Sequence, residues 1–160
     1  MKFESIILAA ALATPVPERA STYTKVSDAD CTMIEENQET YDWTGSCAGV
    51  SGYSLEWSIS DLRDDLEIID GPSRTQLQIP SIVAMGKFDA LGGTAEWRGP
   101  KDGRPDVLIV RVHVADDAGS LAIARLGEKP CLVAVVPPGP GQSDRTRAIA
   151  DGPLPACLKE

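Results

Sequence analysis

Residues 106–136 constrain the fold of this chain most, because they predict three consecutive β-strands joined by short turns. Residues 106–114 form a β-branched run in which every second residue is apolar and faces the core. These residues are Leu108, Val110, Val112 and Val114. Residues 116–119 end in glycine and predict a turn that folds the chain back into residues 120–126. Residues 131–136 are apolar throughout, which predicts a third strand covered on both faces.

Shorter segments elsewhere alternate apolar and polar residues, as in an antiparallel sheet with one solvated face. The clearest is residues 53–60, and residues 41–47, 66–69 and 94–99 follow the same rule. The expected inward-facing residues include Tyr53, Leu55, Trp57, Ile59, Ala95 and Trp97. Together these patterns predict about seven strands. We therefore expect a mainly β fold, an antiparallel sheet curled into a small sandwich or half-barrel with one C-terminal helix, or α+β by a strict count.

Three segments have less definite patterns. Residues 60–65 are compatible with a short helix because their aspartates suit a first turn, but they favour a turn into the strand at 66–69. Residues 77–85 predict an edge or bent strand, because Pro80 cannot donate to a ladder. The Leu-Gly-Gly sequence at residues 91–93 predicts a turn.

A single helix is predicted over residues 144–151, with Ser143 as N-cap and Gly152 as the terminating residue. The preceding loop, residues 137–141, is rich in proline and glycine and cannot join a ladder. At helical spacing Ala148 and Ile149 would face the sheet and cover the apolar strand at residues 131–136.

The chain has 160 residues and a formal charge of −9, from 24 acidic and 15 basic side chains. Its length suits one domain with a sizeable core. An acidic surface makes nucleic acid and anionic membranes poor partners, whereas it attracts basic proteins or cations. Such a charge also keeps a protein soluble without any binding role.

Four cysteines suggest two disulfides in an exported protein, and the sequence alone permits three pairings. We favour Cys31 with Cys47 and Cys131 with Cys157. The first pair encloses an acidic loop tip at residues 35–39, and in the second a helix can return the C-terminus to the strand. A zinc site is the weaker interpretation, because no two cysteines lie close in sequence.

Residues 1–13 have a short polar start, an apolar stretch and a small-x-small ending, which predicts an export signal cleaved after residue 13 or, alternatively, residue 20. The apolar stretch is too short to span a bilayer. We expect residues 14–30 to be an irregular leader and residues 31–160 to form a single disulfide-tied β domain.

The order and spacing of several segments resemble those of uncharacterised small exported bacterial proteins. These segments are residues 96–99 and 108–111, then Cys131, then residues 148–151 before Cys157. The resemblance is a loose pattern that extends over roughly residues 31–157. It implies a periplasmic or secreted location and paired cysteines. It transfers no catalytic residue.

No arrangement in the sequence predicts a catalytic, metal or cofactor site. His113 is the only histidine, and it shares a strand face with Arg111, whose charge would lower the basicity that a general base needs. A carboxylate pair for glycoside cleavage could be drawn from several acidic residues, although an acidic chain always offers such pairs. These are Glu56, Glu67, Glu96, Asp61, Asp64 and Asp65.

One candidate binding face consists of Glu96, Arg98, Arg111 and His113, which would line neighbouring strands on one side of a sheet. Ordinary cross-strand pairing accounts for the same pattern. We therefore expect a non-enzymatic exported binding or inhibitor-type protein with a basic envelope or extracellular protein, such as a lysozyme, as its partner. The alternatives are an envelope hydrolase that uses paired carboxylates and a purely structural envelope protein. The oligomeric state stays open.

Overall fold

The computed structural model describes residues 12–115 and 117–159. Within them, two five-stranded antiparallel sheets pack as a sandwich. Sheet A has the order β1-β7-β8-β9-β10, and sheet B has the order β2-β3-β4-β5-β6. The strands are β1 Arg19–Lys25, β2 Thr32–Asn37, β3 Asp42–Ala48, β4 Tyr53–Ser60, β5 Arg63–Asp70, β6 Ser73–Gln76, β7 Asp89–Pro100, β8 Val107–Val114, β9 Ser120–Arg125 and β10 Cys131–Val136. The helices are α1 Ile79–Ile82 and α2 Gln142–Asp151.

The main core lies between the two sheets and contains alternate residues that the sequence predicts to face inward. Tyr53 and Leu55 of β4 face Ala95 and Trp97 of β7, and all four are buried. The Tyr53 and Trp97 rings stack with their centroids 5.7 Å apart. The Trp97 indole N–H donates to Thr24 Oγ1 at 2.8 Å, so its polar atom is satisfied inside the core.

The central segment is confirmed as three antiparallel strands, β8, β9 and β10. A second apolar cluster lies on the outer face of sheet A beneath α2, which explains why β10 is apolar on both faces. Its buried members are Val107, Ile109, Ile123, Val133, Val136 and Ala150.

Helix α2 differs in detail from the prediction. It begins at Gln142 with Gly141 as N-cap instead of Ser143, and Gly152 is the C-cap as expected. The Gln142 amide donates to the carbonyls of both Gly119 and Val136, which fixes the start of the helix on the sheet. With this orientation Ala150 is buried, whereas Ala148 is exposed.

The expectation of an irregular leader over residues 14–30 was wrong for β1, which pairs with β7 along its whole length. Its sequence carries no clear strand signal, because an edge strand needs only backbone partners and its side chains are mostly exposed. Arg19 also forms ion pairs with Asp106 at 2.5 Å and Asp151 at 2.9 Å. Cleavage at the alternative position 20 would therefore remove structured residues. Residues 1–11, most of the predicted signal, lie outside the described residues.

Two further local predictions were wrong. Residues 79–82 form the helical turn α1 instead of a strand, because Pro80 suits the first positions of a helix, where no N–H donor is required. The predicted turn at residues 91–93 lies inside the long strand β7, where a register shift between Leu91 and Ala95 bulges the chain outward. The preference for a strand at residues 66–69 is confirmed by β5.

Both favoured disulfides are present, Cys31–Cys47 and Cys131–Cys157, and neither leaves a free thiol. The first joins the start of the β2–β3 hairpin to the end of β3, and the second joins the start of β10 to the C-terminal tail. Two disulfides indicate an oxidising, extracytoplasmic setting. In the described part of the chain no helix has the length and apolar character needed to cross a membrane.

Candidate functional site

The negative charge of the protein is concentrated in one segment. Residues 26–62 contain eight acidic side chains and no lysine, arginine or histidine, so they account for −8 of the total formal charge of −9. The rest of the chain is almost neutral. This asymmetry is visible in the sequence, but its meaning depends on where the fold puts the segment.

The fold places the centre of this segment in the β2–β3 hairpin at the free edge of sheet B. All six residues of β2 are exposed. Met33, Ile34 and Tyr41 have exposed fractions of 56%, 57% and 79%. The Cys31–Cys47 disulfide closes the base of the hairpin. The acidic hairpin, residues 31–47, is therefore a covalently tied element that presents large apolar side chains to solvent.

Charged groups surround these apolar side chains. Glu35, Glu36 and Glu39 are exposed, and their carboxylates make no hydrogen bond or ion pair within the described residues. Asp42 is different, because its carboxylate accepts a hydrogen bond from the Thr40 hydroxyl at 2.8 Å, which lowers the pKa of this group. The hairpin therefore carries four carboxylates, and the three glutamates are free to meet a partner.

A pair of tryptophans supports the hairpin from its core-facing side. The Trp43 and Trp57 rings are 4.8 Å apart and tilted by 59°. Gly45 lies under the Trp43 ring, since a Cβ at this position would come within 2.1 Å of the ring. Only glycine lets Trp43 lie flat on the strand and contact Trp57. This contact joins the hairpin to β4 and the body of the sandwich.

The hairpin also forms the wall of two depressions. One, of about 430 Å³, lies beside Tyr41 and Trp43, and the other, of about 270 Å³, lies next to Glu35 and Ser58. Both combine carboxylates with an aromatic ring. Such a surface suits the long apolar stem and charged head of lysine or arginine.

The candidate face predicted from the sequence lies on the outer side of sheet A. Glu96 and Arg111 line a groove of about 260 Å³ next to the β7 bulge, whereas Arg98 and His113 lie outside it. Arg98 donates to both oxygens of Asp151, at 2.6 and 2.7 Å. The structure thus brings only two of the four residues into one depression.

The charges of this face are engaged inside the molecule. Glu96 accepts a hydrogen bond from Ser21 at 2.5 Å, and Arg111 donates to Gly119 and Gln142 at 3.0 Å. The guanidinium of Arg98 lowers the pKa of Asp151 through its hydrogen bonds. These contacts hold β1 against β7 and α2 against β7 and β8, which gives the residues a structural role. Their part in binding stays a prediction.

The carboxylates considered for catalysis are dispersed. Glu56 and Glu67 both accept hydrogen bonds from Arg74 at 2.6 Å, so one guanidinium compensates the pair. Asp61 forms an ion pair with Arg63 in the β4–β5 turn. In the described part of the chain no three His, Cys, Asp or Glu side chains are grouped so that they could hold a metal ion.

Three buried carboxylates, which the sequence did not single out as a unit, lie near the place where β5 meets β7. Asp64, Asp65 and Asp89 are all buried, and burial raises the pKa of each. The pKa of Asp89 reaches about 6, because burial and then the nearby charges of Asp64 and Asp65 outweigh its hydrogen bond. Sequence reasoning missed Asp89 because nothing local distinguishes it from a solvated turn residue.

Comparison with protein-family models, with curated proteins and with solved structures found no match for this chain. The resemblance to small exported bacterial proteins therefore stays a prediction.

Proposed function

We propose that this chain is an exported, non-enzymatic binding protein of the inhibitor type, which captures a basic protein partner in the periplasm or outside the cell through its acidic hairpin. The observation that carries the proposal is the coincidence of a strongly acidic segment, which has no basic residue of its own, with an exposed apolar hairpin edge. Charge concentrated on one side steers a basic partner toward that side.

Exposed apolar side chains supply binding affinity that charge alone does not. Large side chains that become buried at an interface contribute most of the affinity, and aromatic residues are favoured for this role. Tyr41 at the hairpin tip and Met33 and Ile34 on β2 are such anchors. The surrounding glutamates would form the polar rim. The disulfide at the base limits the entropy that the hairpin loses on binding.

The test compares three proteins: the oxidised chain, a hairpin variant and a matched control. The hairpin variant carries Glu35→Gln, Glu36→Gln and Glu39→Gln, and the control removes three exposed acidic charges elsewhere. The control substitutions are Asp102→Asn, Glu128→Gln and Asp144→Asn. Both variants change the net charge equally, so any difference between them reports the position of the charge.

Each protein is immobilised and exposed to envelope extract and to purified basic exported proteins, including a lysozyme, at about 20 mM and about 300 mM salt. We expect the oxidised chain and the control to bind a partner near one-to-one. The hairpin variant should retain at least tenfold less of this partner, and the bound partner should be released as the salt concentration rises. Equal retention by the hairpin variant and the control would refute the assignment to the hairpin. Retention of nothing by the folded, oxidised chain would refute the proposed function.

A further inference from the structure

The carboxylates of Asp64 and Asp89 link the two sheets of the sandwich through a short chain of hydrogen bonds. Oδ1 of Asp89, at the start of β7, accepts the Asp64 backbone N–H at 2.6 Å. In return, Oδ2 of Asp64 accepts the Leu91 backbone N–H of β7 at 2.9 Å. Each residue therefore binds the backbone of the opposite sheet.

The same Asp64 oxygen accepts the indole N–H of Trp57 at 3.1 Å. Trp57 contacts Trp43 of the acidic hairpin, with ring centroids 4.8 Å apart. A continuous series of contacts thus runs from Asp89 through Asp64 and Trp57 to Trp43. Each step in this series is a direct contact.

One atom in the series is unsatisfied. Asp89 is only 7% exposed, and its Oδ2 is the buried side-chain polar atom of the described residues that has no hydrogen-bond partner. A buried carboxylate oxygen without a donor is costly when it is charged and far less costly when it carries a proton. The surroundings of Asp89 therefore favour the protonated form of its carboxyl group.

The charges around Asp89 reinforce this preference. Asp64 and Asp65 of β5 raise its pKa, and Arg63, whose guanidinium donates to the Gly86 carbonyl at 2.9 Å, opposes them. Asp65 lies on the other face of sheet B, where the N–H groups of Leu66 and Ile79 satisfy it. From β8, the neighbour of Asp89 in the register is the uncharged Val114.

We propose that Asp64 and Asp89 form a pH-dependent latch between the two sheets, which sets the position of Trp57 and, through Trp43, the tip of the acidic hairpin. The pKa of Asp89 in the folded chain, about 6, lies above that of an unperturbed aspartate. Folding is therefore favoured as the pH falls through this value, and the latch is tight when Asp89 is protonated. At neutral pH two buried negative charges repel each other and the latch loosens.

The control of partner binding by this latch rests on the proposed function, whereas the latch itself does not. We infer that the hairpin is held more rigidly in a mildly acidic medium than at neutral pH. A rigid hairpin loses less conformational entropy when it binds. A partner whose own charge is constant between about pH 5 and about pH 7.5 is therefore bound more tightly near pH 5.

The experiment records the three tryptophan indole N–H signals by NMR from about pH 4.5 to about pH 8, without any partner. A Trp57→Phe variant assigns the Trp57 signal. We expect the Trp57 and Trp43 signals of the unmodified chain to shift with a common midpoint near 6. In Asp89→Asn, which keeps the acceptor for the Asp64 N–H, the transition near 6 should be lost from both signals.

Three further variants distinguish titration of Asp89 from titration of other groups. Asp65→Asn removes a buried charge outside the latch and should keep the transition, with a lower midpoint because the charge of Asp65 raises the pKa of Asp89. His113→Gln tests the single histidine, because histidines commonly titrate in this range. Asp64→Asn removes the neighbouring charge and should lower the midpoint, and it serves as the second test if Asp89→Asn does not fold.

An unchanged transition in Asp89→Asn, or its loss in His113→Gln, would overturn the latch. A shift of Trp57 without one of Trp43 would overturn its connection to the hairpin. Because no partner is present in the NMR experiment, failure of the latch is distinguishable from failure of partner capture by the hairpin.

Discussion

Gly45 provides a sharp test of the hairpin geometry, because two physical effects predict opposite results for Gly45→Ala. Alanine in place of glycine inside a strand normally stabilises a protein by roughly 0.5–1 kcal/mol, since glycine loses more chain entropy on folding. At this position, however, the new methyl group would lie 2.1 Å from the Trp43 ring and 2.8 Å from two more of its atoms. Trp43 must therefore move.

The cost follows from what Trp43 loses when it moves. Its contact with Trp57, at 4.8 Å, is of a kind worth about 0.5–1.5 kcal/mol beyond buried area. Partial loss of the apolar burial of the ring adds about 1 kcal/mol. After subtraction of the entropic gain we expect Gly45→Ala to lower the free energy of unfolding by about 0.5–2 kcal/mol. For a domain of this size that lowers Tm by about 1–8 °C.

Calorimetry and chemical denaturation measure the effect, and tryptophan fluorescence reports the separation of the two rings. The matched control is Gly93→Ala, since Gly93 also lies in a strand but its new methyl group would meet only the Val26 carbonyl at 3.9 Å. It should be neutral or slightly stabilising. In a Trp43→Ala background, Gly45→Ala should no longer be destabilising. A higher Tm for Gly45→Ala in the unmodified background would refute the packing of Trp43 on Gly45.

Two further predictions concern stability outside the site. Replacement of Cys131 and Cys157 together by Ala opens a loop of 26 residues and should cost about 3 kcal/mol, which lowers Tm by about 10 °C in calorimetry; an unchanged Tm would show that the tail is held without the disulfide. Leu62→Gly should raise the unfolding free energy by about 0.5–1 kcal/mol in denaturant titrations, because Leu62 is exposed and has a left-handed φ of 56°. A lower denaturation midpoint for Leu62→Gly would show that its side chain stabilises the turn.

Prediction of the fold from the sequence succeeded where local patterns and burial agree. The β8–β10 unit, the strand with Tyr53 and Leu55, and both disulfide pairings are confirmed. In the strand with Tyr53 and Leu55, alternation of apolar residues with period two is enforced by a core on one face. The prediction of a strand at residues 66–69 was correct for the same reason, although this strand begins earlier, at Arg63. The strand β10 is apolar throughout because it is covered on both faces.

Prediction of the site was weaker, because sites depend on contacts between residues far apart in the chain. The four residues of the expected binding face do lie on one side of sheet A, but α2 and β1 engage most of their charges. The sequence predicts an acidic loop tip at residues 35–39, and the charge of residues 26–62 is a further signal that points to this hairpin. Whether its apolar residues are covered depends on which distant segments pack against the free edge of sheet B, which the local sequence does not encode.

The sequence by itself determined the class of this protein: periodic apolar residues and turn-forming residues specify antiparallel strands, and four cysteines indicate an oxidising, extracytoplasmic setting. Only the tertiary structure decided that residues 19–25 complete a sheet, that the acidic hairpin stays uncovered, and that Asp64 meets Asp89 across 25 positions of sequence. The physical reason is the range of the interactions. Strand formation follows from the alternation of neighbouring residues, whereas burial, pKa and exposure depend on which distant segments the packing of the two sheets brings together.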